Sequence, residues 1–325
     1  MKQRNFSQSG KSVSEVGLGT WQIGGSWGEV SEDESLAILR EAYQNGVTFF
    51  DTANVYGDGR SEKLIGRFLR ESGAKDVFVA TKLGRGPEFP DVNEAILRGH
   101  TEGSLERLGV ESLDLTQLHC VPTEELRRGE VFETLRKLKA EGKIQKFGAS
   151  VESMEEAHLC LQQDGLASLQ IIFNIFRQKP IADLFAAAQA KNVALIVRLP
   201  LASGLLSGKM TPDTKFDKDD HRNFNRDGAS FNVGETFAGL GFEKGVELAE
   251  QLKPLIPQKM EMAQMAQRWI LDFPAVTTII PGASKSSQVI SNVSASEIAP
   301  LSEELHAQLR EFYESKVKEF VRGPY

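Results

Sequence analysis

Short apolar runs alternate with longer stretches of helical periodicity along almost the whole chain. Eight of these runs are rich in β-branched or aromatic residues, which is typical of buried parallel strands. They are Val16–Thr20, Val47–Asp51, Val77–Lys82, Leu113–Leu118, Gln145–Ala149, Leu169–Phe173, Ala194–Leu199 and Thr277–Pro281. A rough spacing of ~30 residues fits repeated strand–helix units. The pattern therefore predicts eight parallel strands, each followed by a helix.

Helix start and stop signals lie between the predicted strands. Ser31 is followed three residues later by Glu34, which is the spacing of a capping box. Gly109 ends another periodic stretch, as glycine commonly does at a helix C-terminus. The predicted helices begin at Ser31, at Ser61, near Asn93, at Glu130 (ending by Gly142) and at Ser302 (reaching about Phe320).

Eight strand–helix units favour a closed (β/α)8 TIM barrel over an open sheet. No GxGxxG follows the first run, so the dinucleotide fingerprint of a Rossmann fold is missing. The residues before Val16 are expected to form an N-terminal hairpin that closes the barrel floor. A long loop is expected after the seventh strand, from Ser203 to Phe242, where Gly, Asp, Asn and Lys are frequent. It is interpreted as a cover for substrate or cofactor, with a plain linker as the alternative.

Size and composition narrow the function classes. The 325 residues suit one barrel, so residues 1–325 are predicted to form a single domain. A net charge of -7 argues against a general nucleic-acid-binding protein. The only cysteines, Cys120 and Cys160, provide no disulfide framework. No signal peptide and no apolar membrane span is recognised, so a cytoplasmic protein without membrane or nucleic-acid partners is expected.

Four polar residues lie at or just past the ends of predicted strands or in the segment that follows. Asp51 and Lys82 end the second and third strands, His119 follows the fourth, and Tyr56 lies in DTANVYGDGRSE after Asp51. The carboxyl ends of barrel strands meet at one face, so these residues are predicted to share a pocket. A Tyr can donate a proton, a nearby Lys can lower its pKa, and a neutral His can orient a carbonyl. The group fits reduction of a carbonyl by an external hydride donor.

Each of these residues also has a structural interpretation. Tyr56 could be an aromatic residue in a turn, and Asp51 a turn or capping residue. His119 could be a buried structural histidine. Lys82 could instead form a Schiff base with a carbonyl substrate. The other histidines, at positions 100, 158, 221 and 306, show no ligand spacing with Cys or Glu, so no metal site is expected.

Seven motifs occur in one order along the chain. They are GLGTWQIGG from Gly17, DTANVYGDGRSE from Asp51, TKLG from Thr81, QLHCVP from Gln117, GKIQKFGAS from Gly142, PLASGLLSGK from Pro200 and IIPGASKSSQVISN from Ile279. In these motifs the chain resembles the aldo-keto reductase superfamily over nearly its whole length. It is most similar to the bacterial branch that also resembles potassium-channel β-subunits. The resemblance implies a TIM barrel, NADPH (NADP+) as cofactor and a small-molecule carbonyl substrate. It implies Asp51, Tyr56, Lys82 and His119 as the catalytic residues.

The resemblance also implies where the cofactor binds. It assigns the nicotinamide end to the start of the chain and to strand ends, the pyrophosphate to PLASGLLSGK, and the adenosine end to GASKSSQVISN. The implied cofactor-binding residues are Gly19, Thr20, Trp21, Asp51, Ser150, Gln170, Arg198, Pro200, Leu201, Ser203, Gly204, Lys209, Gly282, Ser284, Lys285, Gln288 and Asn292. Lys285 near a predicted helix start, with no acidic residue within Gly282–Asn292, favours a 2′-phosphate and hence NADPH over NADH.

Three positions depart from the family's usual pattern. Arg198 stands where an aromatic residue often stacks on the nicotinamide. Val151 stands where Asn or Arg often follows the serine of the fifth strand. Gln288 stands where many relatives carry a phosphate-binding Arg.

The function expected from the sequence is NADPH-dependent reduction of small aldehydes or ketones, with Tyr56 as proton donor. One alternative is an NADPH-binding regulatory or redox-sensing protein with slow turnover, and another is a Schiff-base lyase that uses Lys82. Substrate specificity is expected from four regions: Trp27, Arg85–Val92, Cys120–Gly129 and Ser203–Phe242. A monomer or a small homo-oligomer is expected.

Overall fold

Eight parallel strands form one continuous sheet in the part of the chain that the structure describes. The structure, a computed structural model, describes residues 1–7, 10–25, 30–86 and 92–325. An antiparallel hairpin of β1 (Gln3–Asn5) and β2 (Ser12–Ser14) precedes the sheet. The sheet strands are β3 (Leu18–Gly19), β4 (Phe49–Asp51), β5 (Phe78–Leu83), β6 (Leu115–His119), β7 (Phe147–Ser150), β8 (Leu166–Ile172), β9 (Ala194–Arg198) and β10 (Val276–Ile279). Neighbours in the sheet follow chain order from β3 to β10.

Backbone hydrogen bonds between the first and last sheet strands close the barrel. The Gly17 N–H donates to the Ile279 carbonyl over 2.8 Å, and the Gly19 N–H donates to the Pro281 carbonyl over 3.1 Å. A Cβ atom at Gly19 would lie 2.7 Å from the carbonyl oxygen of Ile280, so glycine permits this close approach. Closure removes sheet edges. The predicted (β/α)8 barrel is confirmed.

Helices follow the strands and cover the outside of the barrel. They are α1 (Trp21–Gly24), α2 (Glu32–Gln44), α3 (Arg60–Ser72), α4 (Glu94–Leu108), α5 (Thr123–Arg128), α6 (Glu130–Ala140), α7 (Met154–Leu161), α8 (Pro180–Asp183), α9 (Phe185–Ala190), α10 (His221–Phe224), α11 (Phe242–Leu252), α12 (Met262–Leu271), α13 (Ser286–Ser294) and α14 (Glu303–Phe312). A π-helical turn and a 3-10 turn extend the last helix to Phe320, as the sequence predicts. No helix in the described ranges is both long and apolar enough to cross a bilayer.

The predicted helix starts hold to within one residue. The Ser31 hydroxyl accepts the N–H of Glu34, and the Asn93 side chain accepts the N–H of Ile96, each over 3.2 Å. The prediction that Ser61 opens α3 is wrong by one position. Gly59, in a left-handed conformation, precedes the first helical residue. Ser61 is instead buried and donates its hydroxyl hydrogen to Thr20 Oγ1 over 2.7 Å.

The N-terminal hairpin closes the barrel at the end where the strands begin. Phe6 follows β1, is fully buried, and packs its ring 4.8 Å from that of Phe78 and 5.9 Å from that of Phe49. Phe49 and Phe78 are the first residues of β4 and β5, so this cluster fills the floor of the barrel. The predicted hairpin is therefore present and forms part of the core.

The segment after β9 is folded onto the rest of the chain. It contains a 3-10 turn at Ala202–Ser207, the helix α10, and two further 3-10 turns up to Gly239. Asn225 organises its middle: its side-chain oxygen accepts the N–H groups of Ser230 and Phe231 over 2.9 Å each. Ser203 Oγ donates to the carbonyl of Glu235 over 3.2 Å. The segment is therefore held by specific polar contacts rather than extended as a linker.

Truncating Phe6 tests the role of the floor. Phe6→Ala is expected to lower the free energy of unfolding by about 3–5 kcal/mol, since it removes a fully buried ring. Phe320→Ala is the matched control, because that ring is 37% exposed, and it is expected to change stability by less than about 1 kcal/mol. Urea-induced unfolding of both variants is the measurement. Equal losses of unfolding free energy in the two variants would contradict a stabilising role for the floor cluster.

Candidate active site

The carboxyl ends of the barrel strands surround a cleft of about 760 Å³. This volume falls in the usual range for small-molecule and cofactor sites. Asp51, Tyr56 and His119 line the cleft. Lys82 is only 1% exposed and lies behind Asp51 and Tyr56. The four predicted catalytic residues are therefore brought together, with Lys82 beneath the cleft surface.

Lys82 is buried at the centre of this group with three acceptors around its ammonium. Its Nζ atom lies 2.5 Å from Asp51 Oδ1, 2.9 Å from the Thr52 carbonyl and 3.2 Å from Tyr56 Oη. An ammonium group has three N–H donors, so these contacts satisfy it fully. Lys82 is one residue from the end of β5, and Asp51 ends the neighbouring strand β4. The parallel pairing of these strands thus produces the ion pair.

Asp51 receives further hydrogen bonds through its second oxygen. The Gln170 amide donates to Oδ2 over 2.7 Å, and the Gln117 amide donates over 3.4 Å. A carboxylate this deeply buried would be costly without such partners. The sequence analysis did not single out Gln117, although a glutamine within the apolar run LDLTQL is a usable signal. The resemblance assigned Gln170 to the cofactor. In the structure its amide also donates a hydrogen bond to the Asp51 carboxylate.

The protonation states of Asp51 and Lys82 depend on two opposing effects, burial and the hydrogen bonds and charges that each group contacts. Burial raises the pKa of Asp51, while the Lys82 ammonium and the two amides oppose this shift. Burial alone would lower the pKa of Lys82, but the Asp51 carboxylate and Tyr56 outweigh it, so the pKa of Lys82 is raised. The 2.5 Å contact is that of an ammonium–carboxylate pair.

Tyr56 is protonated in this environment at neutral pH. Burial raises its pKa, Lys82 lowers it, and Asp51 and Glu235 raise it further. Lys82 acts in the predicted direction, because its ammonium lowers the pKa of Tyr56. Burial and neighbouring carboxylates prevail, and the net pKa is above the ordinary value. The hydroxyl is therefore a proton carrier whose conjugate base has an ammonium 3.2 Å away.

His119 is a neutral imidazole next to Tyr56. It is the last residue of β6, one position inside the strand rather than after it as predicted. Its ring stands edge-on to that of Tyr56 at 5.9 Å. Burial and then the positive charges of Arg85, Lys82 and Arg198 hold its pKa well below the usual value. Its Nδ1 atom is buried without a hydrogen-bond partner among the described residues.

Aromatic residues form one wall of the cleft. Trp21 stacks on Tyr56 with ring centroids 5.9 Å apart, and it lies 4.6 Å from the ring of His221. Phe231 is 6.1 Å from Trp21 and comes, like His221, from the segment after β9. That segment therefore reaches the reacting groups. The sequence analysis considered His221 only as a metal ligand and gave no sign of this contact.

The predicted cofactor residues lie in the same cleft, with one exception. Those that line it are Gly19, Thr20, Trp21, Asp51, Ser150, Gln170, Arg198, Pro200, Leu201, Ser203, Gly204, Lys209, Gly282, Ser284, Gln288 and Asn292. Lys285 is exposed at the N-cap of α13 and is not among the lining residues. Gln288 Oε1 accepts the backbone N–H of Ser284 over 2.7 Å. This contact fixes the start of α13 from its own first turn.

The backbone of PLASGLLSGK has the form of a cradle. Leu199, Ala202 and Ser203 have φ values of 53°, 49° and 57°, and Gly204 has a φ of 98°. Non-glycine residues in this region are strained and concentrate at functional sites. With the hydroxyl and amide groups of Ser150 and Gln170 at one end and the start of α13 at the other, the cleft fits an extended dinucleotide.

Arg198, which departs from the family's pattern, makes three polar contacts at the end of β9. Its guanidinium lies 3.2 Å from Glu235 Oε1, 3.3 Å from the Val151 carbonyl and 3.7 Å from Cys120 Sγ. Glu235 also lies 3.6 Å from Arg85. The sequence analysis missed Glu235, because nothing in its local sequence marks it.

Other predictions concern metal binding and the substrate loops. In the described ranges, Cys120, Glu152 and Glu235 hold potential ligand atoms within 4.8 Å of one another. Arg198 lies next to Glu235 and already neutralises the negative charge that would attract a metal cation. Trp27 lies outside the described residues, as do positions 87–91 of the Arg85–Val92 loop. Arg85 itself lines the cleft.

Comparison with known proteins places this site in a family. Residues 15–314 match the model of the Aldo/keto reductase family. The chain is 31% identical to the aldo-keto reductase YhdN of Bacillus subtilis, over 89% of this chain and 87% of that protein. It is 29% identical to the NADH-specific methylglyoxal reductase of Escherichia coli, over 92% of this chain and 94% of that protein. Its fold is similar to that of an aldo-keto reductase from Klebsiella pneumoniae in complex with NADPH, with a TM-score of 0.71, 26% identity, and 96% and 95% of the two chains covered.

The family model spans most of the chain, and the barrel and its cleft agree with it. The predicted resemblance is confirmed. The chain belongs to the aldo/keto reductase family.

Proposed function

We propose that this protein is an NADPH-dependent oxidoreductase that reduces the carbonyl group of small aldehydes or ketones, with Tyr56 as proton donor. The observation that carries the proposal is the contact of Lys82 with both Asp51 and Tyr56 beneath the cleft. Family membership supports an oxidoreductase, and the structural similarity to an NADPH complex supports the cofactor. The test is steady-state oxidation of NADPH and of NADH with a panel of small aldehydes. Absence of turnover with every aldehyde would refute it.

The cofactor is expected to bind along the cleft. Bound NADPH would supply the hydride from its nicotinamide ring. Ser150 and Gln170 can hold the carboxamide, the cradle at Leu201–Gly204 can hold the pyrophosphate, and the start of α13 can hold the adenosine phosphate.

The residues of this chain then handle the substrate oxygen and its proton. Neutral His119 orients the carbonyl by a hydrogen bond. Tyr56 donates its proton as negative charge develops on that oxygen, so its help is greatest in the transition state. Lys82 stabilises the phenolate that forms, and Asp51 holds Lys82 in place.

One alternative is an NADPH-binding regulatory protein with slow turnover. The observation that favours it is Arg198, a charged group where relatives often carry a stacking aromatic residue. Rapid multiple turnover of an aldehyde would exclude it. A Schiff-base lyase is disfavoured, since Lys82 is held as an ammonium by three acceptors and has no lone pair for attack.

Three expectations about the whole protein remain proposals. Residues 1–325 are proposed to form a single domain. The protein is proposed to act in the cytoplasm. It is proposed to be a monomer or a small homo-oligomer that takes a small-molecule substrate and no nucleic acid.

Replacing the proton donor is the first catalytic prediction. Tyr56→Phe is expected to lower kcat by roughly 100-fold or more, the usual range for loss of a general acid. NADPH affinity is expected to change little, because the ring and its stacking on Trp21 remain. Steady-state kinetics and fluorescence titration with NADPH measure the two effects. Aldehyde turnover close to that of the native protein would contradict the assignment.

Breaking the buried ion pair is the second prediction. Lys82→Met leaves the Asp51 carboxylate without its counter-ion, which is expected to cost about 3–5 kcal/mol of unfolding free energy near neutral pH. The loss should shrink on acidification, because burial raises the pKa of Asp51 and favours its neutral form. Adding Asp51→Asn is expected to restore part of the stability but no turnover, since the two residues act as a unit. Urea unfolding at pH 5 and pH 8 and steady-state kinetics are the measurements. Strictly additive losses in the single and double variants would show that Lys82 and Asp51 act independently.

Cofactor choice is the third prediction. Lys285→Ala is expected to weaken NADPH binding roughly tenfold, the lower end for a charge-assisted bond, because this side chain is exposed. NADH affinity should barely move, since NADH lacks the 2′-phosphate. Lys209→Ala is the control: Lys209 lines the cleft near the cradle and should affect both cofactors equally. Fluorescence titration with each cofactor is the measurement, and a native preference for NADH would overturn the prediction.

A further inference from the structure

Two arginines bring positive charge to the wall of the cleft close to His119. Arg85 follows β5 and Arg198 ends β9, and both line the cleft. Arg85 makes the largest charge contribution to the low pKa of His119. His119 lines the same cleft, and Arg198 contacts Cys120, the residue after His119.

The donors of Arg85 are largely unused within the described part of the chain. Its closest carboxylate contact is a single 3.6 Å approach to Glu235, and its guanidinium lies 5.5 Å from the ring centre of Phe231. No hydrogen bond within the described ranges involves it. A guanidinium has five N–H donors arranged to hold a carboxylate or phosphate. The aromatic face fixes its orientation, while the N–H groups remain available at the cleft.

Arg198 is also incompletely satisfied. It is the partner closer to Glu235, at 3.2 Å, and its side chain is only 12% exposed. Its Nε atom is buried and has no acceptor among the described residues. That buried Nε is closed to a ligand, so Arg198 serves to position Glu235 and to add positive charge at this wall.

The carboxylates nearby do not balance the two arginines. Glu235 is shared by Arg198 and Arg85, and the surroundings lower its pKa to about 2, so it carries one negative charge. Glu152 is next to Glu235, and burial and that neighbour raise the pKa of Glu152 to about 7. Below neutral pH the group of Arg85, Arg198, Glu152 and Glu235 therefore carries an excess positive charge.

We propose that the preferred substrates of this protein carry an anionic group, a carboxylate or a phosphate, that binds to Arg85 close to the reacting carbonyl. The proposal deepens and rests on the carbonyl reduction proposed above. Glu235 holds the two guanidiniums in place, and the anion supplies the acceptors that Arg85 lacks. Such charge-assisted contacts with arginine are strong and geometrically selective.

Matched substrates test this proposal. The pairs are 4-carboxybenzaldehyde with benzaldehyde, and glyceraldehyde 3-phosphate with glyceraldehyde, each assayed with NADPH. The native protein is expected to prefer the charged member of at least one pair by about tenfold or more in kcat/KM, mainly through KM. The pair with the larger preference identifies carboxylate or phosphate as the recognised group.

The Arg85 variant decides whether the preference comes from this residue. Arg85→Met is expected to lower kcat/KM about 10- to 100-fold more for the charged aldehyde than for the uncharged one. Arg85→Lys should retain part of the preference, since it keeps the charge but not the planar geometry. Arg98→Met is the control: this arginine lies on α4 in ion pairs with Glu94 and Glu141, and its loss should leave both substrates unaffected.

The pH dependence of KM provides an independent test of the anion site. Glu152 faces Glu235, Arg198, Arg85 and Cys120, and it becomes anionic as pH rises through about 7. The excess positive charge then disappears, so KM for 4-carboxybenzaldehyde should rise between pH 6 and pH 8. KM for benzaldehyde should not follow it. Glu152→Gln should abolish the difference.

A binding measurement separates failure of this proposal from failure of the reductase function. Calorimetric titration of 4-(hydroxymethyl)benzoate into the native protein with NADPH, a pair that cannot exchange hydride, is expected to give binding that Arg85→Met weakens about tenfold. If neutral aldehydes are reduced but charge confers no preference and Arg85→Met affects both members equally, the anion site is refuted and the reductase stands. If no aldehyde is reduced, the reductase fails, and the titration alone supports or refutes the anion site.

Discussion

The buried ion pair of Lys82 and Asp51 is the interaction on which the site depends. A charged group enters a protein interior only when hydrogen bonds replace its water, and here they do so completely. Three acceptors surround the ammonium, and two amides with the ammonium surround the carboxylate. The pair therefore fixes the position of Tyr56 Oη as the remaining partner of Lys82. Proton donation is proposed at that oxygen because the ammonium of Lys82 contacts it directly and can stabilise the phenolate.

The closed barrel makes this arrangement possible. Parallel strands place their last residues at a common rim, so Asp51 of β4, Lys82 of β5 and His119 of β6 meet although they are far apart in sequence. The opposite end is sealed by Phe6 and the rings beneath it. Stability and chemistry thus occupy opposite ends of one barrel, as is usual for this fold.

The segment after β9 supplies two side chains to the wall of the cleft. It contributes Phe231 to the aromatic wall and Glu235 to the two arginines. Polar contacts through Asn225 and Ser203 hold it in place, and Arg322 near the C-terminus donates to the Gly239 carbonyl over 2.9 Å. The segment therefore forms part of the cleft wall and is held against the end of the chain. Variation in such loops on a constant barrel changes which substrates are accepted.

The sequence by itself determined the barrel and many of the residues that line its cleft. Strand and helix periodicities are local, and a motif such as DTANVYGDGRSE keeps its residues together after one strand. Only the tertiary structure showed that Gln170 donates to Asp51, that Glu235 lies between Arg85 and Arg198, and that Lys285 is outside the cleft lining. It also showed that burial outweighs the neighbouring ammonium at Tyr56, so the net pKa of that hydroxyl is raised. These features depend on distances between residues remote in sequence and on how much water packing excludes, and neither quantity is encoded in a local pattern.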